Sequence, residues 1–187
     1  MKKTTLFDIP IWTNKIDNFY SVRKQLEDEF NKFPDTKNEI NQSEYQKFYT
    51  NRQKDRPGLT QKFTNIISKE IQNLVSDINK NSDIKIKDLT VKDVWSVTYQ
   101  TGDYQSIHNH GSRGLSGLLF LDSPIDGPNL TIVQPYNNWM TDTTRSFCAK
   151  FEEGAMVVFP SFLLHSSDPN RSHRQKRVIS WDMEIVL

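Results

Sequence analysis

The spacing of apolar residues along the chain changes period near residue 90. Ile16, Phe19, Val22, Leu26, Phe30 and Phe33 recur in steps of three and four, which puts them on one stripe of a helix. The pattern predicts a helix over residues 14–33, with Thr13 or Asn14 as its cap and Pro34 as its stop. Leu59, Phe63, Ile66, Ile67, Ile71, Leu74, Val75 and Ile78 mark a second amphipathic helix, which runs into the Asn79-Lys80-Asn81-Ser82 turn. Between the two, residues 35–58 are rich in Asn, Gln, Lys and Asp and close with Pro57-Gly58. They predict a long irregular connection or a mobile flap.

Beyond residue 84 the pattern becomes strand-like. Segments 89–99, 105–110, 115–121, 129–134, 145–151, 155–160 and 177–186 are short and rich in β-branched and aromatic residues, with Gly, Pro, Asn and Asp clusters between them. Strands at that spacing predict a sandwich or a jelly roll. Two helices ahead of them predict an α+β fold, with the helices packed on one sheet. No repeat or boundary divides the chain, and residues 1–34 are too few for a core of their own. The expectation is one domain over 1–187, with a helical part at 1–88 and a jelly-roll core at 89–187.

Composition narrows the function classes. In 187 residues, 24 Lys plus Arg nearly balance 23 Asp plus Glu, a net charge of +1. That balance argues against bulk nucleic-acid binding. No apolar run reaches the length of a signal peptide or a membrane span. The expectation is a soluble protein in the cytoplasm. One cysteine, Cys148, rules out a disulfide framework and a multi-cysteine zinc site. On its apolar strand it is expected to be a small buried residue. A metal site has to be drawn from His108, His110, His165 and His173, with carboxylates.

Candidate chemistry lies in three stretches. In Tyr99-Gln-Thr-Gly102-Asp-Tyr-Gln-Ser-Ile-His108-Asn-His110 the two histidines stand two apart. On a strand such residues share a face and can aim at one metal ion; otherwise His108 is a polar strand residue and His110 is exposed. In Gly154-Ala-Met-Val-Val-Phe-Pro160-Ser-Phe-Leu-Leu-His165 a strand breaks at Pro160 and a histidine follows. His165 can return to the same sheet face as a third ligand, leaving coordination positions open, or it is a core or loop histidine. The third stretch, Arg171-Ser-His173-Arg174-Gln-Lys-Arg177, is a basic loop that feeds the last strand. Arg177 can reach into the cavity and pair with a carboxylate, or it is a solvated strand-edge charge. His173 reads as exposed.

In their order along the chain these residues resemble the iron(II)/2-oxoglutarate-dependent oxygenase superfamily, and within it a group of uncharacterised oxygenases common in marine bacteria and phages. The resemblance rests on Leu6-Phe7-Asp8-Ile9-Pro10-Ile11-Trp12, on His108-Asn-His110 followed by Leu115-Ser116-Gly117-Leu118-Leu119-Phe120-Leu121, on Gly154 to His165, and on Arg177 entering the final strand. It implies a double-stranded β-helix (jelly roll) and an enzyme, a dioxygenase, that needs Fe(II), 2-oxoglutarate, O2 and a prime substrate. Carried over residue by residue, His108 and His165 match the two histidine ligands, and Arg177 matches the arginine on the distal carboxylate of 2-oxoglutarate. Tyr99 matches a tyrosine near the cosubstrate, and Gly102 the turn between them. His110 stands where the superfamily has Asp or Glu. The metal site implied is His108, His110 and His165; with that departure, either iron has three neutral ligands, or another carboxylate such as Asp103 intrudes, or metal binding is altered. Trp95, Trp139 and Trp181 are candidates to line the cavity, and Tyr45, Phe48, Tyr49, Tyr136 and Trp139 to meet the substrate. Ser180 is expected to face away from Arg177.

Two alternatives remain from the residues themselves. Gly102 with His108-x-His110, and Gly154 with Pro160 and His165, also fit much of a cupin metal site without 2-oxoglutarate. The cupin glutamate is missing from Gly111-Ser-Arg-Gly-Leu115, and Arg177 has no role there. A non-catalytic β-sandwich binding module would need neither metal nor cosubstrate.

Overall fold

The computed structural model describes residues 9–37, 46–81, 85–138 and 140–187. Tyr45, Trp139 and the Leu6-Phe7-Asp8 part of the first motif lie outside the described residues. Two antiparallel sheets face each other. The larger runs in the order β1 (Trp12–Lys15), β10 (Ala155–Pro160), β7 (Leu115–Asp122), β12 (Lys176–Val186), β5 (Asp88–Tyr99), β4 (Tyr49–Thr50), β2 (Thr36–Lys37). The smaller runs β3 (Gln46–Lys47), β6 (Tyr104–His108), β11 (His165–Ser167), β8 (Leu130–Asn138), β9 (Thr143–Ala149). The fold is an α+β double-stranded β-helix.

Alternation along the strands builds two cores. On β12, Ile179 and Trp181 face three helices, α1 (Phe19–Phe30), α2 (Leu59–Ile66) and α3 (Ser68–Asn81). There they meet Leu26, Phe30, Phe63, Ile67 and Leu119. Val178 on the opposite face joins Trp95, Val97, Tyr99, Phe120, Val157 and Phe159 between the sheets. The helices thus seal one face of the larger sheet, and its other face forms the floor of the site.

Helix positions differ from the sequence pattern in two places. Residues 12–15 form strand β1 on the edge of the larger sheet, where Trp12 lies opposite Val158. The first helix therefore begins only at Phe19, after Asn18 turns the chain with φ 49°. The second helix breaks at Ile67 (φ −102°, ψ 18°) into α2 and α3. Ile67 is fully buried, so the break lets both segments press apolar residues on the sheet. The stretch 35–58 is less irregular than its composition suggests: β2, β3 and β4 add strands to both sheets.

Trp181 explains Gly117. A Cβ on Gly117 would lie 2.1 Å from the indole ring, which rests on this backbone.

Candidate metal and cosubstrate site

His108 ends β6, and His165, the first residue of β11, lies opposite it in the antiparallel ladder. His110 stands beyond the end of β6 and is carried by a loop, whose His110 N–H donates to Ser161 O at 2.9 Å. The sequence expectation put both first-stretch histidines on one strand; here the strand supplies one and the loop the other. The three rings pack together, with centroids 4.2 Å (His108–His165), 5.0 Å (His110–His165) and 5.4 Å (His108–His110) apart. One ring nitrogen from each lies within 4.8 Å of the others.

Hydrogen bonds orient the rings. His108 Nδ1 is 2.9 Å from Ser106 O and His165 Nδ1 is 3.1 Å from Leu163 O. A carbonyl only accepts, so these nitrogens carry the protons and leave each Nε2 lone pair for the centre. Gln105 Nε2 lies 3.2 Å from His108 Nε2 and donates to it. His110 Nδ1 is 2.6 Å from the carboxylate Oδ1 of Asp182, which also accepts from Ser116 Oγ at 2.9 Å. Burial lowers the pKa of His108 to about 4 and, with the neighbouring His108, that of His165 to about 3. Both are therefore neutral near pH 7, as ligands must be. For Asp182, burial raises the pKa, but the bonds from His110 and Ser116 outweigh it and the carboxyl stays below its usual range.

The cavity around the rings is lined by Arg52, Trp95, Tyr99, Gln105, Lys176 and Ser180, among others. Arg177 is not among them, which corrects its assignment as the cosubstrate arginine. The side chains of β12 alternate: Lys176, Val178 and Ser180 point between the sheets, and Arg177 points toward the helices. There Arg177 Nε pairs with Asp122 Oδ2 at 2.9 Å and its Nη2 with Glu27. Arg23 joins the same cluster through Asp122 at 2.6 Å. Lys176 takes the inward place. It is 3% exposed, and its Nζ donates to Ser167 Oγ (3.1 Å) and Pro128 O (3.3 Å). It lies 5.3 Å from the centroid of the Tyr99 ring and 5.4 Å from that of Phe120. Among the described residues no carboxylate is within ion-pair reach of it. Burial lowers its pKa to about 7.

Tyr99 lines the cavity beside Lys176, donates to Gln105 Oε1 at 2.7 Å, and has its phenol pKa pushed up by burial. Ser180 faces the cavity, away from Arg177. Trp95 lines it with the Arg52 guanidinium 3.8 Å above its ring, whereas Trp181 packs against the helices. Asp103 is fully buried outside the histidine cluster, where it accepts from Gln100 N at 2.9 Å and meets Lys47 at 3.1 Å. Cys148 is exposed on β9, a correction to its expected burial: among the described residues β9 ends its sheet, with β8 alone beside it. His173 is exposed. The sequence reading missed Lys176, Gln105, Arg52 and Asp182. The parity of β12 with Ile179 and Trp181 was the available signal for Lys176; nothing local in the sequence marks the other three.

Residues 93–182, which hold all three histidines and Lys176, match the profile of a family described as "Putative 2OG-Fe(II) oxygenase". A search of curated protein sequences finds no match. Solved structures share the fold. An oxidoreductase of the 2OG-Fe(II) oxygenase family from Burkholderia pseudomallei superposes with TM-score 0.66 at 9% identity, covering 86% of this chain and 77% of that one. A Pseudomonas putida prolyl-4-hydroxylase gives 0.62 at 16% identity, covering 94% and 93%. The viral collagen prolyl hydroxylase of Paramecium bursaria Chlorella virus-1 gives 0.58 at 17%, covering 94% and 96%. Residues 93–182 are thus similar to the 2OG-Fe(II) oxygenase family, and the chain shares its jelly-roll fold with solved structures of such enzymes.

Proposed function

We propose that this oxygenase holds Fe(II) on Nε2 of His108, His110 and His165 and anchors the distal carboxylate of 2-oxoglutarate on Lys176. The observation that carries the reading is a buried ammonium with no carboxylate in ion-pair reach among the described residues, in the same cavity as three converging imidazoles. A buried cation of this kind is costly unless an anion meets it. A dicarboxylate that reached the histidines at one end and Lys176 at the other would remove that cost. The donor set fits iron: three imidazole nitrogens leave positions open, and their Nδ1 partners hold the rings in place.

Iron and 2-oxoglutarate, when bound, supply the oxidising chemistry. The chain's own residues bind and orient. Lys176 and Tyr99 receive the cosubstrate's far end. Gln105 is bonded to both Tyr99 and His108, and with His108 Nε2 holding a metal it would keep only its bond to Tyr99. Trp95, Phe120 and Val178 keep the floor apolar and limit water. Arg52, from the segment 51–58, stands at the cavity mouth on Trp95 and faces an incoming prime substrate. No described helix is long and apolar enough to cross a membrane. We place the enzyme in the cytoplasm, or the host cytoplasm if the gene is phage-borne, because the one thiol suits a reducing compartment.

Anaerobic Fe(II) and 2-oxoglutarate should give a metal-to-ligand absorbance band, and air should give succinate. Lys176→Met should lose the band and keep metal affinity, while Arg177→Ala should keep both. Iron binding indifferent to 2-oxoglutarate would favour the cupin reading, and failure to bind any divalent metal would overturn both metal readings. A band that survives Lys176→Met would overturn the role of Lys176.

A further inference from the structure

Among the described residues, no carboxylate joins the three histidines of the metal site just proposed. Three neutral imidazoles in a buried cavity leave the double positive charge of the metal uncompensated by its ligands. One carboxylate nevertheless reaches the cluster. Asp182 Oδ1 lies 2.6 Å from His110 Nδ1, the shortest of the three Nδ1 contacts. His108 and His165 donate to backbone carbonyls; His110 alone donates to a charged group.

The placement of Asp182 is built by both strands beside it. Asp182 sits opposite Ser116 of β7 and Asp93 of β5. It shares the inward face of β12 with Lys176, Val178 and Ser180, immediately before the bulge at Asp182/Met183. Ser116 Oγ donates to the same Oδ1 and lies 2.9 Å from Ser161 Oγ. Ser161 O in turn holds the His110 amide. The loop that carries His110 and the carboxylate that meets its ring are therefore joined through two serines, Ser116 and Ser161. Asp182 Oδ2 is 3.4 Å from the Arg52 guanidinium, which limits how far the carboxylate can turn away.

Resting on the iron site proposed above, we infer that Asp182 supplies the negative charge of this metal centre through the His110 ring. The carboxylate accepts the Nδ1 proton, gives the imidazole partial anionic character at Nε2, and fixes the tautomer that can bind a metal. The pair His110–Asp182 then does the work of a single directly coordinated carboxylate, one hydrogen bond further out. Asp182 is a positioning residue. It is not among the groups whose ligand atoms converge on the centre.

The test reads metal affinity and ligand field on the full chain without cosubstrate or turnover, by anaerobic Fe(II) titration and by the absorption spectrum of the Co(II) form. Asp182→Asn keeps the shape and removes the charge. It should weaken metal binding by about 10- to 100-fold, the usual loss for an outer partner of a histidine ligand. The Co(II) bands should shift while the metal-free melting temperature changes little. His110→Asp restores a carboxylate in direct reach of the ion, but beside Asp182 it adds a like charge. In that background Asp182→Asn should leave metal affinity equal or raise it, a reversal that a purely structural aspartate would not produce. If Asp182→Asn binds metal as the natural chain does, or costs the same factor in both backgrounds, the inference fails while the iron site stands. If the natural chain binds no divalent metal, both fall. Should Asp182→Asn fail to fold, His110→Asp decides against the pair alone: metal affinity lost rather than retained there would overturn the exchange of roles.

Discussion

Lys176 and Arg177 are consecutive in the chain and serve opposite faces of the larger sheet. The ammonium of Lys176 is buried between the sheets beside Ser167. The guanidinium of Arg177 is tied to Asp122 and Glu27 on the helix side. A one-residue step on a strand reverses the side-chain direction, so the two cations cannot exchange roles without shifting β12 and with it Ile179 and Trp181.

Arg177→Ala should cost stability and not cosubstrate. Asp122 and Glu27 keep Arg23 as a partner, so the loss should be about 1.5–3 kcal/mol, the range for hydrogen bonds to charged groups. Thermal melts would record it. A large loss of 2-oxoglutarate affinity in a folded Arg177→Ala protein would contradict the placement.

Lys176 makes both stability and binding depend on pH. Its pKa falls from 10.5 to about 7 on burial. Between those values the unfolded chain binds the extra proton, so stability rises with pH through this window and carries the full penalty below about 7. Melts at a series of pH values should show the rise, and Lys176→Met should flatten it and be the more stable protein on the acid side. Binding of 2-oxoglutarate favours the charged amine, so its affinity should fall as pH climbs above about 7, with proton uptake. Calorimetry in buffers of different ionisation enthalpy measures that uptake; none, or release, would contradict it.

Gly117→Ala should be poorly tolerated. The added Cβ would meet the Trp181 indole at 2.1 Å, and Trp181 is 1% exposed among Phe63 and its neighbours. Overpacking of this kind costs about 1–3 kcal/mol. A melting temperature equal to that of the natural chain would show that the ring has room to move.

Cys148 should react with a thiol reagent in the native state, one equivalent per chain, and metal binding should survive the labelling. Its side chain is exposed on the edge strand β9, opposite Thr131 of β8. A thiol that reacts only after denaturation would place it inside.

By itself the sequence determined the class of the fold and the members of the histidine cluster. Helix and strand periods are local, so the amphipathic stripe through Leu26 and Phe30 and the short strands after residue 88 could be read directly. His108, His110 and His165 could be selected because so few histidines exist and their order along the chain carries the resemblance. The tertiary structure decided what faces what. Strand β1 replaced the start of the first helix because an edge of the larger sheet was there to pair with. Lys176 displaced Arg177 because the parity of β12 is set by Ile179 and Trp181 against helices that lie far away in sequence. Asp182 reached His110 across 72 residues, through strands whose neighbours follow from sheet order and not from the chain. Contacts between distant residues depend on register and twist, and no local pattern of apolar and polar positions encodes them.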